Sequence, residues 1–507
     1  MSVGVPSYVA AARREKLDAL RQRGVEPFAY GYARTHTARE AVDAFTPNRP
    51  VTVRVAGRLV ALRAHGKTCF AHLADASGRV QLYFKKDDLG EGGYELMKLL
   101  DLGDVVGAEG FMFQTRTGET TVHVQQVQLL AKALRPLPLG KEDATGEQHG
   151  GLADAEQRYR QRYADLAIHG DVRDVFRVRA QAITAMRAFL DARGYVEVET
   201  PVLQPVYGGA LAQPFVTHYH ALDDRFYLRI ATELYLKRCI VGGMERVYEI
   251  GKDFRNEGID RTHNPEFTML EFYEAYADYH DIMDLVEEML HHVVMEVCGG
   301  SVIERFGTTF DFTPPLPRLA YVDLVRQHAG IDPRTATDEV LRDTLVARLV
   351  GAGLAGSAAE AATEASHMPR GKLLDELFKV CVEPTLERPA FVVDHPIELS
   401  PLAKAKRGDP ALAERFELYA RGHELANAFS ELNDPDEQRA RFAAQGVART
   451  LGDREAHEMD LDYLRALEYG MPPTGGCGIG IDRLVMLLAE QVSIRDVILF
   501  PMLRSRE

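Results

Sequence analysis

The chain has 507 residues, 46% hydrophobic and 27% charged, ordinary globular proportions that exclude a disordered tail, a collagen or a coiled-coil rod. Length predicts roughly two to four domains with a sizeable core, and no run approaches the roughly 18 uninterrupted apolar residues that would cross a bilayer. The net charge of −15 argues at first against a nucleic-acid partner. Residues 1–150, however, carry 20 Lys and Arg against 17 Asp and Glu, while the remainder carries 40 against 58. An acidic body with a mildly basic front end can still hold a polyanion locally.

The opening MSVGVPSYVAAARREKLDAL lacks the basic n-region and apolar run of a signal peptide. Residues 7–24 place apolar positions at helical spacing and end at a glycine, which predicts an amphipathic helix within an N-terminal extension over residues 1–50. From Val51 the period changes to two. VTVRVAGRLV, KTCFAHLAD, GRVQLYFKK, DVVGAEGFMFQT and TTVHVQQVQLLA alternate apolar and polar residues between Gly and Asp clusters. Five short strands over residues 51–133 predict a small all-β barrel of the OB type, with YELMKLLD as its helix between the third and fourth strands. Residues 134–157 are rich in Pro, Gly and polar residues and predict a linker.

The body, residues 158–507, opens with helical segments to about residue 193 and continues with strand-like runs FYLRI, ERVYEI, FTMLEFYEAY, AFVVDHP and RFELYA. Residues 333–390 are Ala- and Glu-rich with helical spacing and predict a helical insertion. The five cysteines, Cys69, Cys239, Cys298, Cys381 and Cys477, are scattered without CxxC or Cys/His clustering. Neither a disulfide framework nor a zinc site is expected, and a reduced, cytoplasmic protein is.

Three segments group chemistry. In VYEIGKDFRNEGIDRTHNPEFTMLEFYEAY, two strand-like runs flank a loop from Asn256 to Glu266, and alternation puts Phe267, Met269, Glu271 and Tyr273 on one face. A ring, a carboxylate and a phenol are odd company for a core. Arg255, Glu257, Arg261, His263 and Asn264 lie in the loop and at its edge, and a guanidinium beside an aromatic face suits a nucleotide. A half-exposed strand beside a solvated loop would look the same. In RFELYARGHELANAFSELND, a tight turn at Ala420 and Arg421 would set Glu417 directly opposite Glu424. Facing carboxylates repel unless a cation lies between them, and such oxygen ligands suit Mg²⁺. Asn427 and Glu431 follow closely, and an ordinary charged hairpin is the alternative. In PPTGGCGIGIDRLVMLLAEQ, glycines at 475, 476, 478 and 480 allow close backbone approach, with a helix starting near Asp482 and Arg483 just inside it. The spacing is neither GxGxxG nor a Walker loop. In the barrel, Phe70 and Gln81 on neighbouring strands could stack on and read a single-stranded base, although a lone Phe in a barrel is far more often core.

Taken in order, these segments closely resemble the class II aminoacyl-tRNA synthetases, and within them the lysyl-tRNA synthetases. The resemblance runs over nearly the whole chain. It rests on GYVEVETPVL, VYEIGKDFRNEG with HNPEFTMLEFY, and GCGIGIDRLVML, together with GGALAQPFVTHYHALD, LRIATELYLKR and FSELND. It implies an α+β fold in which an antiparallel-sheet catalytic domain follows the OB barrel. It also implies lysine activation by ATP and Mg²⁺, transfer to the 3′ end of tRNA(Lys), and a homodimer with Pro201 near its interface. Carried over residue by residue, it makes Arg255 and Arg483 the catalytic pair. Arg255 would grip the α-phosphate and the amino-acid carboxylate, and Phe267 and Arg483 would sandwich adenine. Glu257, His263 and Asn264 would touch the nucleotide, and Glu417 and Glu424 would hold Mg²⁺. Gly209 and Glu233 would take the α-amino group, and Glu271, Tyr273 and Glu431, with Asn427 close by, the side chain. Phe70 and Gln81 would read the anticodon.

Gln213, Thr232 and His220 depart from the family pattern, at positions expected not to touch the residues assigned to catalysis. An aspartyl- or asparaginyl-type synthetase, a paralogue lysylating a protein, and a non-catalytic tRNA-binding relative are the alternatives.

Overall fold

The computed structural model describes residues 8–47, 49, 51–139, 141–142, 148–149, 151–450 and 459–504. The expected linker, residues 134–157, therefore lies partly outside the described residues, as does Ser7 at the start of the expected first helix. Two units, residues 1–170 and 171–507, pack internally.

In the first unit the alternating segments form a closed barrel of β1 (Thr52–His65), β2 (Thr68–Ala74), β3 (Arg79–Lys85), β4 (Val105–Gln114) and β5 (Thr120–Ala131). The barrel closes by a parallel pairing of β3 with β5, Gln81 facing Thr121. One side of each strand fills the interior, as period-two burial requires: Val53 and Val55, Cys69, Ala71 and Leu73, Val80, Leu82 and Phe84, Val122 and Val124. Helix α1 (Tyr8–Gln22) is tied down by the guanidinium of Arg13, which donates to the carbonyls of Ala133 (2.9 Å), Arg135 (3.1 Å) and Leu102 (2.8 Å). Helix α2 (Lys86–Leu99) lies between β3 and β4, at the place the sequence predicts.

The second unit is built on an eight-stranded sheet. Its strands are β6 (Val196–Glu197), β7 (Arg246–Phe254), β8 (Glu266–Ala275), β9 (Arg318–Ala320), β10 (Ala390–Val393), β11 (Arg415–Ala420), β12 (His423–Ser430) and β13 (Thr474–Gly480). The spatial order is β9, β10, β11, β12, β13, β8, β7, β6. The edge strands β6 and β9 pair in parallel with β7 and β10, and every other pairing is antiparallel. Helices α3 (Gly170–Asp191), α5 (Tyr279–Cys298) and α10 (Ile481–Leu488) bury Met186, Met283, Val286, Leu290, Leu484 and Val485 against Tyr248, Leu270, Phe272, Phe416 and Ile479 on one face of the sheet. The other face carries the polar residues, which is why its strands read as aromatic and acidic. Between α3 and α10 in sequence come α4 (Glu233–Val241), α6 (Asp338–Gly351), α7 (Ala358–Ala365), α8 (Arg370–Cys381) and α9 (Leu461–Glu468). Helices α6 to α8 share a small core of Leu341, Leu345, Ala365, Leu373, Leu374 and Leu377. Among the described residues no helix is long and apolar enough to cross a membrane.

Candidate active site

The polar face of the second unit's sheet forms the floor of a cavity of about 470 Å³, lined by Gly209, Glu233, Arg255, Phe267, Glu271, Tyr273, Glu417, Glu424, Asn427, Glu431 and Arg483, among others. Its centre is the glycine strand β13. Gly476 pairs with Tyr273 on one side and Phe429 on the other, and Gly478 with Glu271 and Asn427. Hydrogens where side chains would stand leave room for the flanking residues to lean inward. A Cβ on Gly476 would lie 2.3 Å from both Tyr273 Cε1 and Glu431 Oε1.

At one end lies a nest of carboxylates. Glu233, Glu271 and Glu431 are all buried. Glu271 accepts from the Tyr273 hydroxyl at 3.3 Å and from the backbone N–H of Thr232 at 3.4 Å. Thr232, one of the departures from the family pattern, thus meets Glu271, because the start of α4 points its N–H across at β8. Burial, then the Asp253 and Glu233 carboxylates, push Glu271 up to about 8. The same burial pushes Asp253 up to about 7, against the pull of Arg229 and Arg255. The backbone of Gly209, at φ 91°, passes close to Glu233, whose Cβ would lie 3.1 Å from a Cβ at residue 209. One residue that sequence reasoning missed is Lys237, fully buried one turn along α4 and in contact with both Glu233 and Glu431.

At the other end lie the arginines. The Arg255 guanidinium sits 5.0 Å from the Phe267 ring centroid. Arg255 begins the loop between β7 and β8, one residue earlier than the sequence boundary. Arg483 donates to the Glu424 carbonyl at 3.0 Å, lies 3.5 Å from the Glu424 carboxylate, and contacts His263 Nε2 at 3.2 Å. His263 Nδ1 is 2.8 Å from Asp260 Oδ2; with the proton on Nδ1, Nε2 is left as an acceptor for Arg483. Asp482 anchors this end, accepting from Arg179 at 2.5 Å and from the Thr268 backbone N–H at 2.7 Å, which locks α3, β8 and α10 together. Asn264 is buried in the loop and Glu257 is exposed at the rim.

The hairpin β11–β12 corrects one expectation. The tight turn is Arg421–Gly422, both left-handed at φ 56° and 68°, in place of Ala420–Arg421. Two successive positive φ values give the turn that suits strand twist, and Gly supplies one without strain. Glu424 therefore faces Tyr419, and after a register shift Glu417 faces Asn427. Opposite Tyr419, Glu424 shares the face that carries Glu417, and the bulge at Leu425 brings Asn427 to that face as well. Arg415, also unforeseen, donates to Glu417 at 2.5 Å and to Asn427 Oδ1 at 3.1 Å, and the Tyr419 hydroxyl donates to Glu417 at 2.8 Å. Burial opposes ionisation of Glu417, but Arg415, His395 and Tyr419 outweigh it and hold the group below its ordinary range, whereas burial and then Glu417 push Glu424 up. Among the described residues no group of three or more His, Cys, Asp or Glu could hold a metal by itself.

On the barrel, Phe70 and Gln81 lie on the outer side of β2 and β3. Phe70 packs against Tyr83 with ring centroids 4.9 Å apart, and Tyr83, Phe111, Phe113 and His123 extend the aromatic surface. Gln81 is engaged, donating to Glu119 at 2.5 Å and accepting from the Thr121 hydroxyl at 2.7 Å.

Comparison with known proteins is consistent with this arrangement. Residues 53–130 match the OB-fold nucleic acid binding domain. The chain is 50% identical over 499 residues to a protein of Pelotomaculum thermopropionicum named lysine–tRNA ligase, covering 98% of this chain and 94% of that one. It is 49% identical over 508 residues to a protein of that name from Moorella thermoacetica, with 100% of both chains covered, and 49% identical over 495 residues to one from Carboxydothermus hydrogenoformans, with 98% of both covered. Residues 154–504 match the family described as class II tRNA synthetases (D, K and N), and the chain belongs to that family.

Proposed function

We propose that the protein is a lysine–tRNA ligase, which converts L-lysine and ATP to lysyl-adenylate and pyrophosphate and then passes the lysyl group to the 3′ end of tRNA(Lys). The family spans three amino-acid types, and the observation that selects among them is the charge of the pocket. Glu233 and Glu431 share one resident ammonium, Lys237, and Glu271 lines the same cavity. Once ionised, the three carboxylates leave two charges that Lys237 does not match, and free lysine brings two ammonium groups. Aspartate or asparagine would leave those carboxylates buried and unmatched, which is costly, and pockets built from paired polar groups reject analogues that cannot complete them.

Gly209 and Glu233 receive the α-amino group in this reading. Glu271, Tyr273 and Glu431 surround the ε-ammonium beside Asn427. Arg255 holds the substrate carboxylate against the α-phosphate, Phe267 and Arg483 enclose the adenine, and Glu257, His263 and Asn264 line the nucleotide. A carboxylate is already a nucleophile at neutral pH, so no side-chain base is required. Its oxygen attacks the α-phosphorus in line, the bond to the β-phosphate oxygen breaks, and pyrophosphate leaves. Arg255 and Arg483 act by positioning and by meeting the developing negative charge. In the second step a terminal ribose hydroxyl attacks the lysyl carbonyl and AMP departs.

The donor set fits Mg²⁺. Glu417 and Glu424 present oxygen only, and two carboxylates shared with substrate phosphates are what this ion commonly takes. Bound there, it would neutralise phosphate charge. Phe70 and Gln81 contact the anticodon in this reading, supported by the surrounding aromatic surface; releasing Gln81 from Glu119 is part of binding. A homodimer through the region of Pro201 is supported by the exposed apolar side chains of Val196, Val202 and Leu203. The cytoplasm is the compartment this function implies, and the free cysteines suit a reducing one.

Arg255→Ala tests the catalytic assignment. Lysine-dependent pyrophosphate exchange should fall by about 10²–10³-fold, and wild-type exchange in that variant would refute the role.

A further inference from the structure

A fully buried lysine, Lys237, stands behind the acidic end of the cavity. Lys237 lies on α4, whose neighbouring positions Leu234, Leu236 and Ile240 are core residues. Its ammonium contacts Glu233 Oε1 on the same helix and Glu431 Oε2 just past β12, and lies 5.3 Å from the Phe429 ring centroid. The buried Tyr463 of α9 and, beyond Glu431, Glu271 and Tyr273 of β8 complete its charged and titratable surroundings. Lys237 is absent from the cavity lining, whereas both its partners are in it. It therefore reaches the two carboxylates from behind. Glu431 Oε1, on the pocket side near Tyr273 and Gly476, has no hydrogen-bond partner among the described residues.

We propose that Lys237 is a positioning residue that sets amino-acid specificity: its ammonium couples the carboxylate for the α-amino group to a carboxylate for the side chain and cancels the charge of one of them, so that the pocket's remaining charge matches lysine. Removing a buried ion's partner leaves the survivor uncompensated, and a carboxylate in that position protonates. Burial and the Glu233 and Glu271 carboxylates push Glu431 up, and Lys237 is the cation that opposes them; without Lys237 the carboxyl holds its proton more tightly and must lose it to receive the substrate. Burial works against the charge on Lys237, but Glu233, Glu431 and Tyr463 outweigh it and hold the ammonium above its ordinary value, so it stays a cation across the working range.

The inference rests on the assignment of Glu233 and Glu431 to amino-acid binding, and the test separates the two. In Lys237→Met, KM for lysine should rise by about 10- to 100-fold, the scale of a lost charged hydrogen bond. KM for ATP should stay within about twofold, because the arginine end is untouched. Calorimetry in buffers of different ionisation enthalpy should show proton release per lysine bound at pH 7 rising above the wild-type value. An unchanged lysine KM, or an equal rise for lysine and ATP with proton release unaltered, overturns the role. Should that variant not fold, Lys237→Met with Glu431→Gln removes the pair as a neutral unit. Because Lys237 also holds Glu233, its lysine KM should exceed that of Glu431→Gln alone, and equality overturns the inference. If Glu233→Gln and Glu431→Gln both leave the lysine KM unchanged, the pocket assignment fails; if they raise it and Lys237→Met does not, only the role of Lys237 fails.

Discussion

Gly476 and Tyr273 face each other across the β8–β13 ladder, and a Cβ on the glycine would stand 2.3 Å from the tyrosine ring. The tyrosine ring lies over its neighbour's backbone because no side chain occupies that position, and Glu431 uses the same space. Gly476→Ala should therefore displace Tyr273 and Glu431 together. A shift on that scale costs about 10²-fold in a positioned reaction, so lysine-dependent exchange should fall by at least that much. ATP binding, measured by calorimetry, should persist because Phe267 and Arg483 lie at the far end. Normal lysine activation in this variant would mean that the pocket lies elsewhere.

Glu271 gives the unliganded enzyme a defined pH response. Its carboxyl sits at about 8, raised first by burial and then by Asp253 and Glu233, whereas in the unfolded chain it titrates at about 4.3. The folded state binds the extra proton, so the group's contribution to stability is full below its unfolded value and is lost as pH rises through 8. Lysine reverses this by pairing with the ionised form. The rise in melting temperature on adding lysine should grow between pH 6 and about 8, and lysine affinity should rise by up to about tenfold per pH unit there. Glu271→Gln should flatten both curves. A wild-type lysine affinity independent of pH would contradict the placement of this carboxyl.

Glu417 and Glu424 predict a graded response to Mg²⁺. Loss of a group that only supports a metal ligand costs about 10–100-fold in metal affinity. Tyr419→Phe, which removes the 2.8 Å hydrogen bond to Glu417, should raise the Mg²⁺ needed for half-maximal exchange within that span. Glu424→Gln should raise it further. Equal Mg²⁺ curves for all three proteins would remove the metal from this hairpin.

The barrel can be tested without disturbing chemistry. Base stacking on an aromatic residue contributes about 1–3 kcal/mol, so Phe70→Ala should raise KM for tRNA by about 5- to 150-fold. Pyrophosphate exchange, which needs no tRNA in this account, should be unchanged. A loss of exchange with an unaltered KM for tRNA would refute an anticodon role.

Much of this site was legible in the sequence because strand alternation is a short-range rule. Phe267, Glu271 and Tyr273 share a face for no other reason than spacing of two, and the barrel strands declare themselves in the same way. What was not legible depended on single backbone events or on distant partners. The hairpin register turned on whether Ala420–Arg421 or Arg421–Gly422 makes the turn, and one residue's slip exchanges every pair. The bulge at Leu425, which brings Asn427 to the face of Glu417, leaves no sequence mark of its own. Arg415 is one cation among many until the fold sets it beside Glu417 and Asn427. Lys237 carried a usable signal, a charged residue one helical turn after Glu233 among leucines that must be core. Its second partner, Glu431, is set beside it only by the packing of α4 near the end of β12.

Amino-acid-dependent ATP–pyrophosphate exchange, run with each of the twenty amino acids, without and then with total tRNA, tests the central claim most directly. Lysine alone should support exchange, and should do so without tRNA. Exchange driven by aspartate or asparagine would overturn the charge reading of Glu233, Glu271 and Glu431, and exchange with none of the twenty would contradict the assignment of an activating enzyme.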